Sequence, residues 1–140
     1  MKPETIEKIM SNIPENLKYS KDHEWIKVEG DTGIIGITDY AQSQLGDIVF
    51  VEVETLDQHV DKNDVIGTIE AVKTVAEIYS PVSGTVTEVN PKLDSEPELI
   101  NQDPYGEGWI VKINISNPEE LNDLMSAEEY KNFIETLEEE

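Results

Sequence analysis

The sequence predicts a mostly β domain, folded as a small sandwich or a flattened barrel. A chain of 140 residues is one domain by length and is long enough to bury a substantial core. From residue 17 onward, short segments rich in β-branched and aromatic residues alternate with turn residues. No repeat of fixed period is evident, and many short strands in a compact acidic chain are typical of small sandwiches and barrels.

The N-terminal residues favour a short helix ahead of the β domain. Apolar residues recur at helical spacing over residues 3–10, with a proline near the start, where a helix tolerates it. Pro14 ends this segment. We therefore expect a helical extension over residues 1–16 and a single domain over residues 17–140.

The predicted strands follow one another along most of the chain. They cover residues 25–28, 32–37, 48–53, 65–69, 75–79, 82–89 and 109–115. Glu29-Gly30-Asp31 and residues 61–64 are predicted turns, and Gly84 indicates a bulge or a close approach of two backbones. A long loop is expected from Asn90 to Gly108.

Short helices are predicted between and after the strands. One lies between residues 37 and 48, with Thr38 or Asp39 as its N-cap and Gly46 just past its end. Two more helices close the chain, and each begins with a capping sequence. These capping sequences are residues 117–120, a variant of the capping box, and residues 126–129.

The charge of the chain argues against two kinds of partner. The formal net charge is −21, from 31 acidic residues against 10 basic ones, and all ten are lysines. Such a surface repels phosphate backbones and anionic membranes, so we expect binding neither to nucleic acid nor to membranes. Protein partners should present basic faces, with encounter rates that fall as salt rises. A high net charge also keeps a small protein monomeric, and a monomer is expected.

The lack of cysteine fits a reducing compartment. The chain has no cysteine, so it uses neither disulfides nor thiolate metal sites. No apolar run approaches the length of a membrane span. Residues 1–16 have neither the apolar core of a signal peptide nor the arginine-rich character of a transit sequence. We therefore expect a cytoplasmic protein.

The most informative stretch centres on Lys73, which lies between two apolar, β-prone segments. Glu70 stands three residues before it, and Gly84 eleven residues after it. Local propensity predicts a helix here, because residues 70–77 contain no glycine, proline or asparagine, and Glu, Ala and Lys favour helix. A lysine amine is normally a solvated charge on a flexible stem, and most turn lysines only keep a protein soluble.

Four ordered sequence blocks resemble the glycine cleavage system H-protein family. They are Glu70-Ala71-Val72-Lys73 with Ser80-Pro81-Val82-Ser83-Gly84, residues 19–25, residues 36–42 with 45–51, and residues 101–109. The resemblance runs from about Leu17 to Tyr130. It implies two facing antiparallel sheets with peripheral helices, of the kind shared by lipoyl and biotin carriers. It also places a β-hairpin, bent at Lys73, where propensity predicts a helix.

The resemblance implies that Lys73 carries lipoate in an amide bond and that the chain is a carrier, not an enzyme. In such a system the pyridoxal-phosphate-dependent P protein decarboxylates glycine, and the methylamine unit passes to the oxidised lipoyl group. The T protein transfers the one-carbon unit to tetrahydrofolate and releases ammonia. The L protein, a flavin dehydrogenase, reoxidises the dithiol. Expected partners are these three proteins and a lipoate-attaching enzyme.

The resemblance also implies roles for five further residues. Glu70 would help the attaching enzyme to read the hairpin, and Gly84 would allow the backbone approach that presents it. The alternatives are a solvated carboxylate and an ordinary strand bulge. In the family the loaded arm folds back near a His-Glu-Trp motif, so Glu24 would hold its cationic amine through a charge-assisted hydrogen bond. Asp22 and Glu77 would contribute similarly, and the alternative is that all three acids belong to a general acidic surface.

Other residues that invite a chemical role are read as structural. The only histidines, His23 and His59, lie far apart in sequence and there is no cysteine, so a metal centre is not expected. His23 is interpreted as a structural or surface residue. Trp25 and Trp109 are interpreted as core anchors.

Competing classes of carrier protein differ from this chain in the residues beside the lysine or in the partner that they serve. Biotin carriers have methionine on both sides of the lysine, where this chain has Val72 and Thr74. Lipoyl domains of 2-oxoacid dehydrogenases commonly have aspartate immediately before the lysine and lack the blocks at residues 19–25 and 101–109. Two alternatives stay open. One is an H-like protein that relays lipoyl groups to other carriers, and the other is an acidic interaction module whose Lys73 is never modified.

Overall fold

A computed structural model describes residues 12–138 of the chain as two antiparallel β-sheets with peripheral helices. The predicted N-terminal helix over residues 3–10 lies outside the described residues. The larger sheet has six strands in the order β1-β2-β3-β9-β8-β5. These strands are β1 (Lys18–Tyr19), β2 (Glu24–Glu29), β3 (Thr32–Ile37), β5 (His59–Val60), β8 (Gly84–Val89) and β9 (Val111–Ile115).

The smaller sheet has three strands in the order β4-β6-β7. They are β4 (Ile48–Glu52), β6 (Val65–Ala71) and β7 (Val75–Tyr79). The sheets do not close into a barrel, so the sandwich prediction is confirmed and the barrel alternative is not. Every predicted strand is present, with ends that differ by a few residues.

The two sheets bury their inner faces against each other in one hydrophobic core. Period-two alternation explains this, because successive side chains of a strand point to opposite faces. Isoleucine and valine dominate the core, and each buried side chain contributes about 2 kcal/mol. The six-stranded sheet supplies Ile26, Ile35, Val86, Val111 and Ile113, and the three-stranded sheet supplies Val51, Ile66, Ile69 and Ile78.

Within residues 12–138, three α-helices lie at the edges of the sandwich, α1 (Asp39–Leu45), α2 (Leu99–Gln102) and α3 (Ala127–Glu138). The Thr38 hydroxyl caps α1 by accepting the Ala41 N–H at 3.2 Å, and Gly46 follows the helix. The predicted capping box of α3 is also present. Ser126 Oγ accepts the Glu129 N–H at 3.2 Å, while the Glu129 carboxylate accepts the Ser126 N–H at 2.9 Å. No helix within residues 12–138 is long and apolar enough to cross a membrane.

Two predictions about the helices and loops are wrong. The segment from Asn90 to Gly108 is not a plain loop, because it contains the 3-10 helix Pro91–Asp94 and α2. The predicted capping box at residues 117–120 does not form, and Pro118–Asp123 is a 3-10 helix. The Glu120 carboxylate, instead of turning back to the helix start, accepts the Ser83 N–H at 2.7 Å and the Ser83 hydroxyl at 2.9 Å. A contact across 37 residues therefore outcompetes the local cap.

A second, aromatic cluster attaches α3 to the start of the six-stranded sheet. The rings of Tyr19 and Tyr130 stack with centroids 4.7 Å apart. Trp25 is buried and donates its indole N–H to the Pro104 carbonyl at 3.0 Å, so its predicted role as a core anchor is confirmed. Trp109 packs on this cluster but is only half-buried.

Candidate functional site

Lys73 lies at the tip of the hairpin formed by β6 and β7. The register pairs Glu70 with Val75, and the Ala71 N–H donates to the Thr74 carbonyl at 2.8 Å. Val72 and Lys73 form the bend, and the Lys73 side chain is exposed. The hairpin placed here by the resemblance is confirmed, and the helix favoured by local propensity is wrong. Burial explains why the hairpin forms instead of the helix. In two paired strands, Ile69 and Ile78 both point to the inner face of the sheet and are buried in the core.

The hairpin tip is braced from the side. The Val72 N–H donates to the Asp47 carbonyl at 3.0 Å, and Ala71 pairs with Ile48 of β4. The bend that carries Lys73 is therefore tied to a second strand immediately beside it. Lys73 is thus an exposed side chain on a backbone held by hydrogen bonds.

β7 is an edge strand, since within the described residues it pairs only with β6. Peptide groups alternate in direction along an antiparallel strand. Because Thr74 faces β6, the peptide groups of Val75, Glu77 and Tyr79 face away from it. The Tyr79 N–H uses this direction to donate to Glu24 Oε2 at 3.2 Å. Glu24 thereby joins the first residue of β2 to the last residue of the hairpin.

The Glu24 carboxylate is buried and held by two donors, the Ser20 hydroxyl and the Tyr79 N–H. The Ser20 hydroxyl donates to Glu24 Oε1 at 2.5 Å and accepts the Glu24 N–H at 3.1 Å. Burial raises the pKa of Glu24 to about 7, because desolvation disfavours the charged form. The hydrogen bonds from Ser20 and Tyr79 oppose this rise, and the negative charge of Asp22 adds to it.

A groove of about 350 Å³ runs between α1 and the edge of β7. Asp22, Glu24 and Glu77 line it, so the structure brings together these three predicted site residues. Asp22 and Glu77 are exposed at the rim, whereas Glu24 is buried. Apolar walls face them, and they come from Ile37, Tyr40, Leu45, Ala76 and Ile78. At a rise of about 3.3 Å per residue, β7 separates Lys73 from the Glu24 contact at Tyr79 by roughly 20 Å.

His23 also lines the groove, and its role there is structural. Its backbone has a φ of 68°, a left-handed conformation that few non-glycine residues adopt. Its Nδ1 lies 2.8 Å from the Tyr130 hydroxyl, which is 2.7 Å from Thr38 Oγ1. Burial lowers the pKa of His23, while Asp22 opposes that shift. This network fixes the residue immediately before Glu24.

The two remaining predicted site residues lie elsewhere. Glu70 is exposed on the outer face of the three-stranded sheet, away from the groove. Gly84 begins β8 in the six-stranded sheet, between Val60 and Ile115. A Cβ on Gly84 would collide with the Asn114 carbonyl, so the predicted close approach of backbones is present. The irregularity of β8 lies further along the strand, between Val86 and Glu88, and not at Gly84.

Sequence reasoning missed the residues that shape the groove. Ser20 belongs to the block at residues 19–25, and its position four residues before Glu24 was a usable signal. Tyr40, Gln44 and Leu45 face the groove from α1, which only the tertiary fold places there. Within residues 12–138, no group of three or more acidic or histidine side chains is arranged to hold a metal ion.

The fold and this site define a carrier protein rather than an enzyme. The chain belongs to the family described as glycine cleavage H-protein, whose family model matches residues 17–137. It is 58% identical over 124 residues to the glycine cleavage system H protein of Symbiobacterium thermophilum, covering 89% of this chain and 97% of that protein. It is 52% identical over 123 residues to the H protein of Bacteroides fragilis, covering 88% and 98%.

The fold is similar to a crystal structure of a glycine cleavage system H protein from Mycobacterium marinum. The TM-score is 0.78 at 35% sequence identity, covering 86% of this chain and 97% of that one. The H-protein family is the lipoyl-carrying shuttle of the glycine cleavage system, and its members carry lipoate covalently on a lysine. The family works with the P, T and L proteins of that system.

Proposed function

We propose that Lys73 is the lysine that carries lipoate, and that this chain passes an aminomethyl group from the P protein to the T protein. The L protein then reoxidises the dithiol. The observation that carries the proposal is the exposed lysine at the tip of a hairpin whose bend is tied to β4. Such a tip offers its amine to a modifying enzyme without unfolding any of the core.

The residues beside Lys73 fit a lipoyl arm. Acylation removes the charge of the lysine and lengthens its stem with a hydrocarbon chain. The groove is lined by β7, the strand that follows Lys73, and its walls from Leu45, Ala76 and Ile78 are apolar. A bound arm supplies the disulfide that accepts the aminomethyl group. The chain supplies the surface that holds and shields it.

Glu24 is the residue that would hold the cationic amine of the cargo. A cation next to a buried carboxylate favours the charged form of that carboxylate, so its pKa of about 7 would fall when the cargo is in place. Ser20 and the Tyr79 N–H fix the carboxylate oxygens in advance. Asp22 and Glu77 add negative charge at the rim. Exclusion of water by the groove would slow hydrolysis of the cargo.

The remaining proposals concern the domain bounds, the cellular location, the oligomeric state and the modifying enzyme. Residues 17–140 form the carrier domain and residues 1–16 an extension, which the family match over residues 17–137 supports. The chain acts in the cytoplasm as a monomer. A lipoate-attaching enzyme modifies it.

The test of Lys73 is the intact mass after incubation with a lipoate-attaching enzyme. The natural chain should gain one lipoyl group, and Lys73→Arg should gain none because arginine keeps the charge but cannot form the amide. Lys21→Arg is the matched control, since Lys21 is also exposed in a turn. It should be modified normally. Reconstituted glycine decarboxylation with P, T and L proteins should be lost in Lys73→Arg and retained in Lys21→Arg. A lipoyl group on Lys73→Arg would contradict the proposal.

The test of Glu24 is the lifetime of the aminomethyl cargo on the loaded protein. Glu24→Gln keeps an acceptor for the Tyr79 N–H but removes the charge, so we expect normal lipoylation and release of the cargo about tenfold faster, the loss of one charge-assisted hydrogen bond. Glu77→Gln removes an exposed carboxylate and should shorten the lifetime of the cargo less. Equal lifetimes for the natural chain and Glu24→Gln would show that the amine does not contact this carboxylate.

A further inference from the structure

Ser20 lies in the turn between β1 and β2, four residues before Glu24, and the two side chains are buried together. Ser20 is 9% exposed and Glu24 is 2% exposed. The Ser20 hydroxyl donates to Glu24 Oε1 at 2.5 Å, and its oxygen accepts the Glu24 N–H at 3.1 Å. The serine therefore holds the glutamate at both its backbone and its carboxylate. Hydrogen bonds to an ionised acceptor are about twice as strong as those between neutral groups.

The contacts of the Glu24 carboxylate leave acceptor sites for a cation. An ionised carboxylate has about four such sites, two on each oxygen. The Ser20 hydroxyl occupies one site on Oε1, and the Tyr79 N–H occupies one on Oε2. One site on each oxygen is then left for an ammonium group, which is a donor only. A carboxylate in this state is matched to a cationic amine, whereas a protonated carboxyl is not.

Burial and the Ser20 hydroxyl act on Glu24 in opposite directions. Desolvation favours the neutral acid, and a donated hydrogen bond favours the carboxylate. Burial raises the pKa of Glu24 to about 7, and the hydrogen bonds from Ser20 and Tyr79 limit that rise. The Tyr79 donor is a backbone N–H at the end of β7, so it comes with the fold. The hydroxyl is the contribution that depends on a side chain. Without it, Glu24 should hold its proton at pH 7.

The titratable groups that face Glu24 come from its own turn, from β7 and from α1. They are Asp22, His23, Glu77, Tyr79 and Tyr40. Burial lowers the pKa of His23 and raises that of Tyr40 to about 12, and a hydrogen bond to Glu77 raises the pKa of Tyr79. These three side chains are therefore neutral around pH 7. The negative charge of Asp22 disfavours ionisation of Glu24. The neighbouring serine is the side chain that favours it.

We propose that Ser20 is a positioning residue for the cargo, because its hydroxyl keeps Glu24 ionised and oriented so that the carboxylate can take the cationic amine at neutral pH. This proposal rests on the proposed role of Glu24. Ser20 acts through Glu24 and does not line the groove. It lines a separate cavity of about 520 Å³ together with Lys21, and only Asp22 is common to that cavity and the groove.

The first test is a titration of the Glu24 side-chain carboxyl by 13C NMR in the unmodified chain. The natural chain should have a midpoint near pH 7. Ser20→Ala should raise the midpoint by about one pH unit, the effect of losing one hydrogen bond to a charged group. Ser20→Thr keeps the hydroxyl and should restore the natural midpoint. Ser43→Ala is the matched control, because the Ser43 hydroxyl donates to the Tyr40 carbonyl at 2.8 Å beside the groove. It should leave the midpoint unchanged.

The second test is the release rate of the aminomethyl cargo from the lipoylated, loaded protein between about pH 5 and about pH 9. The ratio of the Ser20→Ala rate to the natural rate should reach about tenfold near neutral pH, where only the natural Glu24 is ionised. It should fall toward one at both ends of the range, where both proteins have the same charge at Glu24. Ser43→Ala should give a ratio near one throughout.

Unfolding midpoints establish that each variant is folded, and if Ser20→Thr is unstable, the comparison of Ser20→Ala with Ser43→Ala decides. Equal titration midpoints for Ser20→Ala and the natural chain would overturn the proposal and leave the function of Lys73 intact. A release ratio that does not vary with pH would also overturn it, since Ser20 would then have only a structural role. If the natural chain gains no lipoyl group, the proposed function fails, and the role of Ser20 toward the cargo fails with it.

Discussion

The two sheets of this protein share one core but treat their outer faces differently. In the six-stranded sheet, consecutive residues Glu24, Trp25 and Ile26 are all buried, because the aromatic cluster under α3 covers the outer side of β2. In the three-stranded sheet only the inner face is buried, and the outer face leaves Phe50 and Val75 exposed. The larger sheet is therefore covered on both sides at the start of β2. The smaller sheet leaves apolar side chains exposed on its outer face.

Two glutamates show the same contrast at the level of single side chains. Glu24 is buried, bonded to Ser20 and Tyr79, and its pKa is raised to about 7. Glu70 is exposed between apolar neighbours. A buried carboxylate with fixed oxygens can hold a small cation, whereas an exposed carboxylate can contribute only to encounter and register with a partner. Residue type alone does not distinguish these roles.

The largest effect on stability is expected at Gly84, where the six-stranded sheet has no room for a Cβ. Gly84→Ala would push a Cβ into the Asn114 carbonyl and the Ile113 side chain, and a backbone contact of this kind cannot be relieved by a rotamer change. We expect a loss of about 4 kcal/mol in the free energy of unfolding, measured with urea. Thr85→Ala, at the next and exposed position, should change it by less than about 0.5 kcal/mol.

The same variant sharpens the comparison between the sheets. If Gly84 acts only through the six-stranded sheet, the folded fraction of Gly84→Ala should still be lipoylated at the normal rate. A stable Gly84→Ala protein that is not lipoylated would contradict this division, and would show that Gly84 helps to present the hairpin.

The sequence predicts the strands well because their alternation is local. Residues 32–37, for example, agree with β3 at both ends. It predicts the hairpin at Lys73 only through the family resemblance, because the helical propensity of residues 70–77 is local while the burial of Ile69 and Ile78 is not. The failed cap at Glu120 has the same cause, since its partner Ser83 lies 37 residues away.

The candidate site could also be predicted only where it depends on local sequence and not on tertiary packing. The family resemblance singled out Glu24, Asp22 and Glu77, which do meet in one groove. They could not indicate that Glu24 is buried, or that the Tyr79 N–H bonds to it, because β7 is brought to β2 by the packing of two sheets. Phe50 is a further example, since its place beside Glu70 depends on strand register.

A smaller effect on stability is expected from the ionisation of Glu24. It distinguishes the buried Glu24 from the exposed Glu70. The folded-state pKa of about 7 lies above the ordinary value of 4.5, so the folded chain binds this proton more tightly than the unfolded chain. The resulting stability is present below pH 4.5 and is lost as the pH rises to about 7. At 1.36 kcal/mol per pH unit, the loss amounts to about 3 kcal/mol. Glu24→Gln has no such proton to lose.

Urea unfolding of the natural chain and Glu24→Gln, from about pH 5 to about pH 8, measures this difference directly. The free energy of unfolding of Glu24→Gln relative to the natural chain should rise through this range and level off above pH 7. Glu70→Gln, which changes an exposed carboxylate, should run parallel to the natural chain. If the free energy of unfolding of Glu24→Gln also runs parallel to that of the natural chain, Glu24 is already ionised in the folded protein at about pH 5. The donors from Ser20 and Tyr79 would then outweigh its burial, and the groove would hold a permanent negative charge.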